Sequence, residues 1–154
     1  MKPKALFVGA MLAWAGLVAA ATDPVVGSWQ LNVAKSTFAP GRELKSETRV
    51  YRETTDGMSV EITGETAKGT ALSQQSTFKV DGKTYPWSGS ADYDSLSVKR
   101  INGSTITTTL WKGGKAVGNS VRTVSKHGKM LTLTTRATSA DGKRFSQTLV
   151  FDRQ

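Results

Sequence analysis

From residue 57 to residue 152 apolar and polar positions alternate with a period of two, in short runs separated by glycine-bearing turns. Met58, Val60 and Ile62 share one face, with Ser59, Glu61 and Thr63 on the other. Leu72, Phe78 and Val80 share a face with Gln74 and Ser76, and Leu96 and Val98 share one with Arg100. Ile106 and Leu110 go with Thr108, Leu131 and Leu133 with Thr135, and Phe145, Leu149 and Phe151 with Gln147. This period marks half-buried strands. Between them stand Asp56-Gly57, Asp81-Gly82, Asn102-Gly103, Gly113-Gly114, His127-Gly128 and Asp141-Gly142. Such pairs supply the positive φ angles of tight hairpin turns.

The pattern predicts ten strands, at 25–31, 45–53, 57–65, 71–80, 83–88, 95–101, 104–112, 115–126, 129–138 and 143–152. Regular punctuation of this kind implies an antiparallel meander. An open sheet this long would leave two pairing-prone edges, and closure removes them. The expected fold is therefore all-β, an up-and-down barrel of about eight to ten strands. The register of 115–126 stays open, because Val117 and Val121 have one parity and Arg122 and Val124 the other. Residues 32–44 lack alternation; they allow one helical turn before Ala39-Pro40-Gly41 breaks it.

Residues 1–21 stand apart. Lys2 and Lys4 precede an apolar run from Ala5 to Val18, and Ala19, Ala20 and Ala21 follow. This is the layout of a cleavable secretory signal peptide, and the run is short for a membrane span of about 20 residues. The expected mature domain is 22–154, periplasmic or secreted, with cleavage after Ala21 and Ala20 as the alternative. No stable membrane anchor is expected after cleavage.

Composition narrows the chemistry. The net charge is +9 and stands at +7 without Lys2 and Lys4. The basic residues are scattered, as on a solvated sheet face, with no basic stripe interleaved with aromatics; nucleic acid is not expected as a partner. With no cysteine, thiol catalysis, zinc-thiolate and iron–sulfur sites are excluded.

No catalytic constellation is visible, and no cofactor or metal is expected. His127, the one histidine, lies in a turn between lysines. There is no nucleophile elbow and no phosphate loop. Asp92-Tyr93-Asp94 is the nearest thing to a carboxylate cluster, but it lacks the further ligands of a calcium loop. Asn102-Gly103-Ser104 fits a glycosylation acceptor and reads first as a turn.

Binding is better supported. Gln74, Ser76, Arg100, Thr108, Thr135 and Gln147 share faces with apolar residues. A dry core avoids such groups, since an unpartnered buried amide or hydroxyl costs on the order of 1–3 kcal/mol. Either the interior holds water and a ligand, or a bulge flips some of these faces. The candidate ligand-binding residues are Arg100, Gln74, Thr108, Gln147 and Arg122. Arg100, two residues before the Asn102-Gly103 turn, is either a cation at the barrel mouth that grips a carboxylate or phosphate head group or a side chain that snorkels to solvent at the strand end; Arg122 lies on the strand whose register stays open. Trp87, Trp111, Tyr51, Tyr85 and Phe38 are aromatic candidates for an apolar mouth, with Trp111 on the outer parity.

The first strand, Val26-Gly27-Ser28-Trp29-Gln30-Leu31, resembles the Gly-x-Trp opening of the calycin barrels, the lipocalins and fatty-acid-binding proteins. Asn32-x-x-Lys35-Ser36-x-Phe38, Asp81-Gly82-Lys83-x-Tyr85-Pro86 and Arg122-x-Val124-Ser125-Lys126-x-Gly128-Lys129 are similar to small exported bacterial lipocalin-like proteins. The resemblance implies a barrel with an internal cavity. It also implies that Gly27 and Trp29 lie at the closed end, with Arg153 packed over the Trp. Residues 32–44 are too few for a helical lid, and Leu149-Val150-Phe151 stands where an Arg-x-Tyr carboxylate anchor would be. The function expected is binding of a small hydrophobic or amphipathic molecule in the cavity. The alternative is a protein-binding module, such as an inhibitor, that uses the loops and rim. Oligomeric state, ligand identity and periplasm against exterior stay open.

Overall fold

The computed structural model describes residues 21–154. All but the last residue of the expected signal peptide lies outside them. Ten antiparallel strands follow one another around a closed barrel: β1 (Gly27–Leu31), β2 (Leu44–Glu53), β3 (Met58–Thr66), β4 (Ala71–Phe78), β5 (Thr84–Ser88), β6 (Ser95–Arg100), β7 (Thr105–Lys112), β8 (Lys115–Val124), β9 (Met130–Thr138) and β10 (Arg144–Arg153). β1 closes the ring by pairing with both β2 and β10. A single 3-10 turn, Val33–Lys35, capped by the Asn32 side chain, interrupts the β1–β2 connection.

Each run with a period of two becomes a strand with one buried face. Met58, Val60, Ile62, Phe78, Leu96, Val98, Ile106, Leu110, Leu131, Leu149 and Phe151 form the inner wall. The turn signals act in more than one way. Gly113 and Gly114 both have positive φ, as a two-residue hairpin turn with the strand twist requires. Gly57 does not; there the demand is space, because a Cβ would stand 2.5 Å from the Phe78 carbonyl oxygen.

The unreadable parity of β8 has a local cause. Leu110 pairs with Gly118 and Trp111 with Ala116, leaving Val117 as the extra residue of a bulge. Beyond the bulge Ser120, Arg122 and Val124 are buried and Val121 faces out. Gly118 occupies an inner position where a Cβ would lie 2.3 Å from that of Ala137.

One end of the barrel is sealed by the residues preceding β1. Val25 and Trp29 are fully buried, and the Trp29 indole N–H donates to the Val25 carbonyl at 2.7 Å. The Arg153 guanidinium lies 4.2 Å from the centre of the Trp29 ring and donates to the carbonyls of Pro24, Val26 and Gly128. Gly27, at φ +134°, lets it pass: a Cβ there would stand 2.6 Å from Nη1.

Candidate functional site

The meander register places four inward polar side chains side by side. Thr108 pairs with Ser120, Ser120 with Thr135, and Thr135 with Gln147. They form a belt across β7, β8, β9 and β10. On the side of the sealed end runs a tier of Ile106, Arg122, Leu133 and Leu149, and on the other side a tier of Leu110, Gly118, Ala137 and Phe145. Within the belt the Ser120 and Thr135 hydroxyls share a hydrogen bond of 3.0 Å.

The belt borders a cavity of about 110 Å³ inside the barrel. Arg42, Arg49, Tyr51, Trp87, Tyr93, Thr108, Ser120, Arg122, Thr135, Phe145 and Gln147 contribute to its wall, with Val60, Phe78, Leu96 and Val98 among the apolar remainder. Among the described residues three guanidinium groups therefore border it, and no carboxylate does.

Arg122 is the central feature. Its residue is 5% exposed, and its guanidinium lies 4.9 Å from the centre of the Tyr51 ring. The carboxylate it meets is Asp23, with Nη2 at 3.9 Å from Oδ1, beyond hydrogen-bond reach. Among the described residues no atom hydrogen-bonds to its buried Nε, and none to the buried Oε1 of Gln147. A donor and an acceptor on the wall of one cavity are both left without a protein partner.

The other arginines have partners. Arg49 donates to the buried carboxylate of Glu47 and lies 5.1 Å from the centre of the Phe151 ring. Burial opposes its charge, but Glu47 and the Tyr51 hydroxyl outweigh this and hold it protonated above its ordinary range. Arg42 pairs with Asp92 and lies 3.9 Å from the centre of the Phe145 ring. Asp92 also accepts the Ala140 N–H at 2.9 Å, so one carboxylate ties together the loops around 42, 92 and 140. Arg42 and Phe145 border both the inner cavity and an outer groove of about 760 Å³ at this end. They form the partition between the two.

Of the five sequence candidates, Arg122, Thr108 and Gln147 border the cavity. Gln74 is half-buried and accepts the Trp87 indole N–H at 3.1 Å. Arg100 is exposed at the sealed end, where it donates to Asp23 and to the carbonyls of Asn102 and Gly103. The period placed it on the inner face, but the strand ends there and the side chain leaves the barrel. Of the aromatic candidates, Tyr51 and Trp87 border the cavity, while Trp111 lies outside, its indole N–H donating to Ser97. Asp92 and Asp94 diverge: Asp94 accepts from Gly113 and Ser95.

Sequence reasoning missed Arg42, Arg49 and Tyr93. The signal for Arg49 was present. Arg49-Val50-Tyr51 is an Arg-x-Tyr pair, placed on β2 rather than on β10.

No family model matches the chain, and no curated protein matches it. Among solved structures it is similar to zebrafish ileal bile acid-binding protein complexed with cholic acid. The identity is 13%, over 85% of this chain and 99% of that one, with a TM-score of 0.49. The chain's own strand order is that of a closed ten-stranded antiparallel up-and-down barrel.

Proposed function

We propose that the protein reversibly binds a small amphipathic molecule carrying one acidic group, held in the barrel with that group on Arg122. The observation that carries this reading is the pair of buried atoms without protein partners, Arg122 Nε and Gln147 Oε1, on the wall of one cavity. A buried guanidinium whose Nε has no partner is costly without an anion, and a carboxylate would satisfy it directly. A hydroxyl or other N–H or O–H donor on the ligand, or a water held beside it, would donate to Gln147 Oε1.

Charge balance supports an anion. Arg42, Arg49, Arg100 and Arg122 face three carboxylates in their ion pairs, Asp92, Glu47 and Asp23. One positive charge is left over, and Arg122 has the weakest share. The cavity of about 110 Å³ sets the size. Drug-sized ligands occupy roughly 300–1,000 Å³, whereas an apolar cavity of about 150 Å³ accepts benzene. The cavity alone fits a short acid such as butanoate; hexanoate fits where its tail passes Arg42 toward the outer groove. Burial of its tail yields roughly 0.8 kcal/mol per methylene, so binding is of micromolar to millimolar strength once the cost of association is included.

We further infer export by the residue 1–21 signal and action outside the cytoplasm. Carriage, sequestration and sensing would use the same site.

The test is calorimetric titration of the purified protein with butanoate, hexanoate, benzoate and hexanol. Saturable binding of the acids, with hexanol much weaker, is expected. Absence of heat and of any shift in melting temperature with every acid would overturn the reading.

A further inference from the structure

The residue nearest to satisfying Arg122 belongs to the chain itself. Asp23 lies at the sealed end, its side chain 11% exposed, between two guanidinium groups. One oxygen takes a hydrogen bond from Arg100; the other lies 3.9 Å from Arg122 Nη2. Asp23 therefore lends Arg122 charge balance without a hydrogen bond, and leaves its Nε unpartnered.

We propose that the Asp23 carboxylate is a tethered competitor for the cavity's acid site, so that an acidic ligand on Arg122 and the docked Asp23 oppose each other. The inference rests on the binding function proposed above. An incoming carboxylate gains most from a guanidinium that is not already neutralised, and it is repelled by an anion sharing that guanidinium. Linkage makes the antagonism mutual: whatever Asp23 takes from ligand affinity, the ligand takes from the docking of Asp23.

The local geometry lets Asp23 yield without opening the barrel. Ala21 and Thr22 are exposed. Asp23 and Pro24 begin a turn closed by the Val26 N–H on the Asp23 carbonyl at 3.0 Å. From Val25 onward the chain is anchored, by burial of Val25, by Trp29 and by Arg153 on the Pro24 and Val26 carbonyls. Movement of Asp23 about Pro24 would break that turn bond and the bond from the Asp23 N–H to Glu53 Oε1 at 3.3 Å, and would leave the Trp29 plug in place. Its Oδ1 also accepts the Val25 N–H at 3.0 Å. An asparagine can keep that bond and the turn while losing the charge.

Two substitutions move affinity in opposite directions. Asp23→Asn removes the competitor and is expected to tighten hexanoate binding on the order of tenfold. Arg100→Gln removes the competitor's other partner, leaves Asp23 to Arg122 alone, and is expected to weaken binding. A merely structural role for this end of the barrel predicts that both substitutions weaken it. Calorimetric titration of the wild-type protein and both variants with hexanoate decides, with urea midpoints establishing that each is folded.

Tighter binding by Asp23→Asn than by a wild type that itself binds supports the proposal. Equal or weaker binding by a folded Asp23→Asn overturns it while the binding function stands on the wild-type titration. Should that variant not fold, equal or tighter binding by Arg100→Gln overturns it. Binding by none of the three removes the binding function, and the inference with it.

Discussion

The Arg122 guanidinium lies 4.9 Å from the centre of the Tyr51 ring, on the wall of a cavity that no carboxylate among the described residues borders, and its buried Nε has no partner. A cation in that position is a liability to the unliganded protein. Arg122→Met is therefore expected to leave stability unchanged or to raise it, because an apolar side chain of similar length replaces an incompletely satisfied charge. Asp23 is not stranded by the change, since Arg100 retains it. Hexanoate binding by the same variant is expected to be lost. A thermal melt and a titration on one sample check both. A large drop in melting temperature together with retained binding would show that Arg122 is a structural residue.

The sealed end makes the opposite demand. At Gly27, φ is +134° and a Cβ would stand 2.6 Å from Arg153 Nη1. Gly27→Ala combines backbone strain with displacement of the guanidinium from Trp29, at a cost of about 2–4 kcal/mol. Arg153→Ala leaves the Pro24, Val26 and Gly128 carbonyls without their donor and is expected to cost about as much. Urea unfolding measures each. The double variant is expected to cost less than the sum, since both act on one contact.

All ten strands were legible because a hydrophobic period of two survives wherever one face packs inward. It failed at β8, where the Val117 bulge shifts parity in mid-strand and no residue type announces it. It also hid the inner face of β2. There Glu47, Arg49 and Tyr51 point inward and Val50 stands opposite Glu61 on the outer face, so hydropathy gives the wrong side. Charged residues inside a barrel are stable only through partners, and those partners come from distant loops. Asp92 reaches Arg42 and Asp23 reaches Arg122 through closure of the ring, which local spacing cannot express. Thr108, Arg122 and Gln147 were legible as polar residues among apolar ones, but their meeting on one cavity depends on register across four strands.

The partition formed by Arg42 predicts a kinetic effect. Its ion pair with Asp92 and its place over Phe145 separate the inner cavity from the outer groove. Asp92→Asn weakens the pair and the loop tie through Ala140. Hexanoate is then expected to enter and leave faster by similar factors, on the order of tenfold, with little change in affinity, as for a gate outside the binding contacts. Arg42→Ala joins the two spaces and is expected to admit decanoate as well. Stopped-flow or NMR exchange rates test this, and unchanged rates in both variants would place the entrance elsewhere.

The Tyr93 hydroxyl gives the cavity a signature in alkali. Burial pushes it up to about 12; Arg49 pulls against this, and Glu47 and Asp92 add to it. Tyr85 is also pushed up to about 12, first by its hydrogen bond to Asp81 and then by desolvation. A phenol whose folded value lies above its unfolded value of about 10 contributes stability that is fully present below pH of about 10 and is lost as pH rises through about 12. Two of the three tyrosines are therefore expected to ionise late in a spectrophotometric titration. Tyr93→Phe removes one of those late steps. The difference in unfolding free energy between wild type and this variant, measured in urea, is expected to be constant below pH of about 10. Above it the difference moves in favour of the variant, because phenylalanine has no proton to lose. A difference that stays flat up to pH of about 12 would mean that the hydroxyl is solvated and faces away from the cavity.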